Sequence, residues 1–428
     1  MDSQFAQKKG LFYGWVIVAV STLALVVSNG LSVLGIAVFS KPIREDLVST
    51  GAVPVNEAES MIAAASYLTF LLAGFVAPVT GLLVKRFSLR LLMIVGCFIL
   101  GSALLLQSQA TSAPMVYAAR IMMGISLGFV GVMPNVVLVS NWFRRLRGTA
   151  LGIVLTGTSI GGVVLPLVAT PLILSYGWRN AMMIVSLMVW IVLLPAVALF
   201  VKSSPGQIGL SPDGDSEAQS SDAPVVGDLP GMTLRSALGT PVFWAFALCA
   251  AAIFYAIFMT TQQFVLYLQT PRIGVTPLTA SYYLSTLFAV SIGGKFFFGW
   301  LSDRLPAPRV ILLCCTAMFL STFILFGLNA SNAIFFILIF GFVYGGTFVL
   351  LQLLVAEFFG QREYGKILGV IVMIEMIGAA IGGRVTGYLA DQDGGDYTRA
   401  FYSVSVSAAI ALAMALILNR KRNYSALT

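Results

Sequence analysis

Two ionisable residues sit deep inside apolar runs of helix length, and each could do chemistry there. The first is Lys295, in Gly293-Gly294-Lys295-Phe296-Phe297-Phe298. A lysine in hydrocarbon costs about 3 kcal/mol on insertion scales, so it marks a functional site by default. Its ammonium carries three donors and no acceptor, the chemistry of an anion holder. The second is Glu375, the one acid of 17 left after the others are assigned to ends and loops. It lies eleven residues past Tyr364, about 16 Å along a helix and near a bilayer midplane. A carboxyl whose protonation follows its surroundings suits a proton carrier. Eight residues beyond Lys295, about 12 Å along a helix, comes a Gly299-x-x-x-Asp303-Arg304 corner. Glycine lets helix ends approach, while Asp303 can accept from a neighbouring helix N-terminus or pair with Arg304, Arg309 or Arg362. Such pairs can latch one conformation; the plainer reading is positive charge retained on one side of a membrane.

The elements that position these residues follow from composition. The 428 residues are 58% hydrophobic and 10% charged, with mean hydropathy +0.94, which places the chain among polytopic membrane proteins. Apolar runs continuous over about 20 residues imply helices, not a barrel. With no histidine, and with Cys97, Cys249, Cys314 and Cys315 all inside apolar runs, neither a His-based metal site nor Ser-His or Cys-His catalysis is available. No Gly-x-x-x-x-Gly-Lys-Ser/Thr loop occurs. An enzyme, a cofactor, a metal and a nucleic-acid partner are therefore not expected, and the net charge of +8 reads as orientation charge on loops.

Twelve spans are predicted, at 12–36, 61–83, 89–108, 113–140, 149–173, 180–201, 241–267, 279–301, 308–327, 333–357, 366–389 and 400–419. The first is too long for a signal peptide and lacks a cleavage site. With a cytoplasmic N-terminus, 17 Lys and Arg fall on the cytoplasmic side against 5 opposite, which places both termini in the cytoplasm of a multi-pass cell membrane protein. Residues 202–236, rich in Ser, Asp, Gly and Pro, read as a solvated linker between two six-helix bundles, 1–201 and 237–428. The bundles resemble each other. Gly81-Leu82-Leu83-Val84-Lys85-Arg86 precedes Gly299-Trp300-Leu301-Ser302-Asp303-Arg304 by 218, and Gly148, Gly152 and Gly161 precede Gly365, Gly369 and Gly378 by 217. Parallel six-span repeats with a site between them are a transporter signature.

Several stretches carry a family resemblance across all twelve spans: Phe12-Tyr13-Gly14-Trp15-Val16, Trp142-Phe143-Arg144-Arg145-Leu146-Arg147-Gly148, Tyr176-Gly177-Trp178-Arg179, and Glu357-Phe358-Phe359-Gly360-Gln361-Arg362. In this order they resemble the major facilitator superfamily, and within it a bacterial monocarboxylate transporter-like branch bordering on the oxalate:formate exchangers. The resemblance implies an all-α fold of 12 transmembrane helices in two pseudo-symmetric bundles. It also implies proton-coupled transport of a small organic anion by alternating access, in a bacterial inner membrane and as a monomer. Lys295 stands where the family generally has an arginine that binds the substrate carboxylate; the charge is kept and the bidentate fork lost. Gln263 stands where a histidine is often found, Ser291 where an aspartate is, and Val33 and Leu34 where animal members have a lysine. That proton-handling arrangement does not carry over, which leaves Glu375. Lys85 replaces the gate's usual Asp, so a latch there needs Glu357 or Glu363 to reach across.

Candidate substrate contacts are thus Lys295, Gln263, Tyr255, Asn135 and Arg120, with Glu375 for proton coupling and Gly299, Asp303, Arg304, Arg362 and Arg145 for gating. Plainer readings stand beside them: Lys295 pairs with Glu375 or snorkels, Arg120 bonds to carbonyls, Arg384 faces Asp391, and Gly378, Gly382, Gly383 and Gly387 only pack helices. Other readings of function are exchange or efflux of another solute, and a sensor that transports nothing.

Overall fold

A computed structural model describes residues 12–34, 36–214, 231–270, 272–392 and 397–425. The middle of the linker, the surroundings of Gly387 and the side chains of Gln262 and Asp391 lie outside them. The described residues are helical, with no strand beyond one isolated bridge between Gly231 and Gly360. Eleven helices are long and apolar enough to cross a membrane, and one of these, Arg147–Phe200, runs for 54 residues and contains two spans. They part at Gly177, whose φ of +77° lies in the region glycine favours. This is the predicted turn at Tyr176-Gly177-Trp178-Arg179.

The twelve spans are α1 (Gly14–Ser49), α2 (Val55–Leu83), α3 (Leu89–Ser108), α4 (Ala113–Trp142), α5 (147–176), α6 (178–200), α7 (Pro241–Leu268), α8 (Pro277–Ser302), α9 (Ala307–Phe326), α10 (Ala333–Phe359), α11 (Tyr364–Gln392) and α12 (Thr398–Ser425). Two starts carry side-chain caps: the Ser88 hydroxyl accepts from the Leu91 N–H, and the Thr276 hydroxyl from the Thr279 N–H. Three spans are irregular, α6 through a π turn over Val189–Leu193. α1 widens into a π turn over Gly30–Leu34, and α4 breaks at Gly131.

Apolar side chains such as Leu174 and Leu167 are exposed on the outer surface, at 81% and 70%, as a lipid-facing surface requires. Inside, the packing repeats. α1 lies on α5 as α7 lies on α11, and α2 on α4 as α8 on α10. The halves meet along two seams, α5 against α8 and α2 against α11. Both seams are built on missing Cβ atoms. A Cβ on Gly299 would stand 2.5 Å from the Gly148 carbonyl oxygen, and one on Gly152 would stand 2.7 Å from the Lys295 carbonyl oxygen. In the other seam a Cβ on Gly369 would stand 2.6 Å from the Ala77 carbonyl oxygen, and Gly81 lies against the Gly365 carbonyl. Of the glycines matched in sequence, Gly81, Gly148, Gly152, Gly299 and Gly369 thus bring the halves together near their linker-side ends, while Gly161 and Gly378 pack α5 on α1 and α11 on α7 within each half.

Candidate functional site

Lys295 lies on α8 where α5 and α10 both press close. Gly152 admits α5 to its backbone, and Gly345 admits α10 on the other side, where a Cβ would stand 2.7 Å from the Lys295 nitrogen. Two turns past Gly152, α5 delivers Thr158 and Ser159 to the end of the lysine side chain. Nζ donates to Thr158 Oγ1 at 2.6 Å and to Ser159 Oγ at 2.7 Å, and Ser159 Oγ shares a hydrogen bond of 2.9 Å with Ser291 Oγ. The rings of Phe348 and Tyr344 stand with centroids 5.0 and 5.4 Å from Nζ. The lysine is fully buried, and no carboxylate pairs with it among the described residues. Burying an ion without a counterion costs several kcal/mol, and the two hydroxyls and the two rings are the groups that meet the ammonium here.

Beside it is a cavity of about 740 Å³ between the halves. Its lining reaches from Ala77 and Val372, six and eight residues from the linker-side ends of α2 and α11, to Leu284, 18 residues and about 27 Å from the linker-side end of α8. The cavity therefore runs from the middle of the molecule toward the end away from the linker. No Asp, Glu, Lys or Arg lines it among the described residues. Lys295 is one layer back, joined to it through the Thr158 hydroxyl and the two rings.

Glu375 is also buried, at 1% exposure, on α11. Gln352 Nε2 of α10 approaches its Oε1 at 3.5 Å, and the Gln352 carbonyl accepts from the Tyr364 hydroxyl at 3.0 Å. Glu375 and Lys295 do not pair; each is held by neutral groups on a different helix pair. That sets aside the expectation of a resting ion pair between them. The cavity is lined instead by Val372 and Met376 on either side of Glu375 in sequence.

The other candidates separate. Asn135 is buried, and its Nδ2 donates to the Val130 and Gly131 carbonyls at 2.9 and 2.7 Å, which bridges the break in α4. Tyr255 shares a 2.7 Å hydrogen bond with Ser403 of α12. Arg120 is 1% exposed; Thr69 Oγ1 donates to its backbone carbonyl, and its Nε and Nη2 have no hydrogen-bond partner. Gln263 is half-buried two residues past Thr261. None of these four is among the cavity-lining residues.

At the linker-side end, Asp303 accepts from the Gly148 N–H at 2.7 Å, the Thr149 N–H at 2.7 Å and the Thr149 hydroxyl at 2.6 Å, closing α8 onto the start of α5. The other seam carries Lys85 Nζ on Glu363 Oε1 at 2.8 Å. Glu363 also accepts from Lys366 Nζ at 2.8 Å and, through Oε2, from the Leu234 N–H at 2.8 Å, where a short linker helix Leu234–Leu238 begins. That N–H, then the two ammoniums, hold the Glu363 carboxyl down to about 2. Arg145 donates its backbone N–H to Asp213 at 2.8 Å and lines a cavity of about 330 Å³ beside Asp303. Arg304 instead stacks on Trp300, its guanidinium carbon 3.9 Å from the ring centroid, and Arg362 is exposed. At the opposite end Arg179 pairs with Asp46 at 2.6 Å and donates to the Ala110 carbonyl at 2.8 Å, fastening the start of α6 to α1.

Sequence reading missed Thr158 and Ser159. A signal was present: Thr158 precedes Glu375 by the same 217 residues that pair the glycines, and Asn135 precedes Gln352 by 217. Applying the repeat to polar residues finds Thr158; Ser159 falls opposite Met376 and carries no such signal.

The Major Facilitator Superfamily profile matches residues 20–383 and again 270–427. The chain is 27% identical to the MFS transporter asaE of Aspergillus flavus over 326 residues, 75% of this chain and 69% of that protein. It is 27% identical to monocarboxylate transporter 13 of Bos taurus over 333 residues, 76% and 73% of the two chains. It is 26% identical to monocarboxylate transporter 12 of Xenopus laevis over 375 residues, 81% and 78%. Among solved structures, the proton:xylose symporter XylE superposes with a TM-score of 0.75 at 13% identity, over 95% of each chain. The Escherichia coli fucose:proton symporter FucP gives 0.66 at 14%, over 95% and 99%. At these identities the two structures speak for the fold alone.

Proposed function

We propose that this chain, which belongs to the Major Facilitator Superfamily, is a secondary transporter of small organic monoanions, with Lys295 holding the carboxylate. The observation that carries the proposal is a fully buried ammonium on two hydroxyls, beside a cavity between the halves, with no carboxylate pairing with it among the described residues. One cation behind an uncharged wall favours a monoanion over a dianion. The animal monocarboxylate transporters among the relatives support that class.

In this reading Glu375 couples proton occupancy to transport, and residues 1–201 and 237–428 rock about the site as single bodies joined by 202–236. The two seams gate the linker side, which the excess of Lys and Arg makes cytoplasmic, with both termini there. The protein works as a monomer. The resemblance to a bacterial branch near the oxalate:formate exchangers, and a bacterial inner-membrane location, rest on sequence motifs alone, the relatives above being fungal and animal. Uptake of radiolabelled pyruvate by proteoliposomes under an inward proton gradient tests the core of the proposal. Lys295→Ala is expected to cut uptake at least tenfold with its melting temperature retained, and Lys295→Arg to keep part of it. Undiminished uptake by Lys295→Ala sinks the assignment.

A further inference from the structure

The cavity says more about the cargo than its charge. Five phenylalanines, Phe70, Phe254, Phe258, Phe288 and Phe348, line it with Tyr344. Four of them form a continuous strip. Phe70 of α2 meets Phe258 of α7 edge to face at 5.1 Å, across the boundary between the halves. Phe258 stacks on Phe254 at 5.9 Å, and Phe254 on Phe348 at 5.7 Å. Phe348 then stands 5.0 Å from Lys295 Nζ. The strip is apolar along its length and ends at the cation, beside Thr158, which lines the cavity and whose hydroxyl accepts from Lys295 and donates to the Leu155 carbonyl at 2.9 Å. Aromatic faces and edges of this kind favour another ring, at about 0.5–1.5 kcal/mol per pair beyond burial.

Size points the same way. A three-carbon acid displaces about three or four waters, on the order of 100 Å³ at roughly 30 Å³ each. The cavity, at about 740 Å³, falls within the 300–1,000 Å³ that hold drug-sized ligands. A short acid at Lys295 would leave the phenylalanine strip facing water. A sugar would find few polar partners, since among the described residues Asn29, Thr158, Thr261 and Ser285 are the hydrogen-bonding side chains besides Tyr344.

We infer that the cargo is an aryl monocarboxylate, its carboxylate at Lys295 and Thr158 and its ring on the strip formed by Phe70, Phe258, Phe254 and Phe348. This rests on the reading of Lys295 as the anion holder. Phe258 is then a specificity-determining residue: it touches the ring and not the carboxylate, and it joins the two halves through Phe70.

The test uses the purified full chain, with binding read by thermal shift and transport by proteoliposome uptake, for phenylpyruvate, pyruvate and the uncharged phenylacetone. Phenylpyruvate is expected to be taken up with KM at least tenfold below that of pyruvate, and phenylacetone to give no stabilisation. Phe258→Ala should raise the ratio of the KM for phenylpyruvate to that for pyruvate at least tenfold. Phe258→Leu, which keeps the volume of the site, should show the same selectivity if the alanine variant is unstable. Lys295→Ala should lose both acids. If pyruvate and phenylpyruvate are handled alike, and Phe258 variants change both equally while both still need Lys295, the aryl inference is overturned and the monoanion reading stands. If phenylacetone binds as well as phenylpyruvate and Lys295→Ala changes neither, the anion reading falls and the aromatic site remains. If neither acid binds, both are wrong.

Discussion

The two seams between the halves are the same contact made twice, with different chemistry. Gly152 rests α5 on the backbone of Lys295, and Gly369 rests α11 on the backbone of Ala77, 218 residues earlier. Two turns past each glycine comes the residue aimed at the middle of the molecule: Thr158 in one seam and Glu375 in the other. Thr158 meets a lysine, while Glu375 turns to Gln352, the counterpart of Asn135. At the linker-side ends the corner charge is reversed. Asp303 takes backbone N–H groups at the start of α5, whereas Lys85 takes the Glu363 carboxylate just before α11. Backbone geometry tolerates no side chain at the glycine contacts and so has stayed twofold. The polar residues around it carry no such constraint, so an anion holder and a lone carboxyl can stand at related positions without pairing.

The comparison is broken most severely at the glycines. Gly299→Val places atoms against the Gly148 carbonyl and the Gly152 Cα, and because both are backbone no rotamer change relieves them. Overpacking of this kind costs about 1–3 kcal/mol, and the upper end is expected here, on the order of a hundredfold in the population of the closed seam. Transport should fall by a similar factor, and a cysteine placed at Ser302 should label faster from the linker side. Labelling and transport equal to the parent would mean that the seam does not have to close. Asp303→Ala ranks next. It removes three acceptor contacts from α5, and a bond to a charged group contributes about 1.5–3 kcal/mol. The same labelling assay should show a ten- to hundredfold rise, and Asp303→Asn a smaller one. If Asn and Ala behave alike, the charge at this corner, and not its hydrogen bonds, sets the closure.

Much of this frame was legible in the sequence. Eleven of the twelve starts are read from apolar runs to within three residues, because lipid forces every span to satisfy its own backbone; α2 begins six residues earlier, in the polar Val55-Asn56-Glu57 turn that hydropathy assigns to a loop. Lys295, Glu375 and Asp303 stand out because charge in or beside such runs is costly. What stayed hidden depends on which way a side chain turns. Tyr255 and Asn135 are polar residues on apolar helices, as Thr158 is, yet Tyr255 faces α12 and Asn135 mends a break in its own helix. From sequence Lys85 lacks the gate's usual acid and needs Glu357 or Glu363 to reach across; the fold brings Glu363 to it at 2.8 Å.

That ion pair is the gentlest place to sharpen the comparison. Lys85 is 47% exposed in its side chain, and exposed pairs contribute about 0.2–1 kcal/mol, so Lys85→Ala should change labelling from the linker side less than fivefold. Glu363→Gln should do more, because the same carboxylate also holds Lys366 and the Leu234 N–H at the start of the linker helix. Its sign with pH follows from the titration. The carboxyl is held from an ordinary 4.5 down to about 2, so its contribution to stability is complete above about 4.5 and is lost as pH falls toward 2. The melting temperature of the parent should therefore exceed that of Glu363→Gln by a constant margin at neutral pH, and the margin should shrink on acidification below about 4.5. A margin that stays level or widens in acid would show that Glu363 acts through its shape and not its charge, and the reversed-charge account of the α2–α11 seam would fall with it.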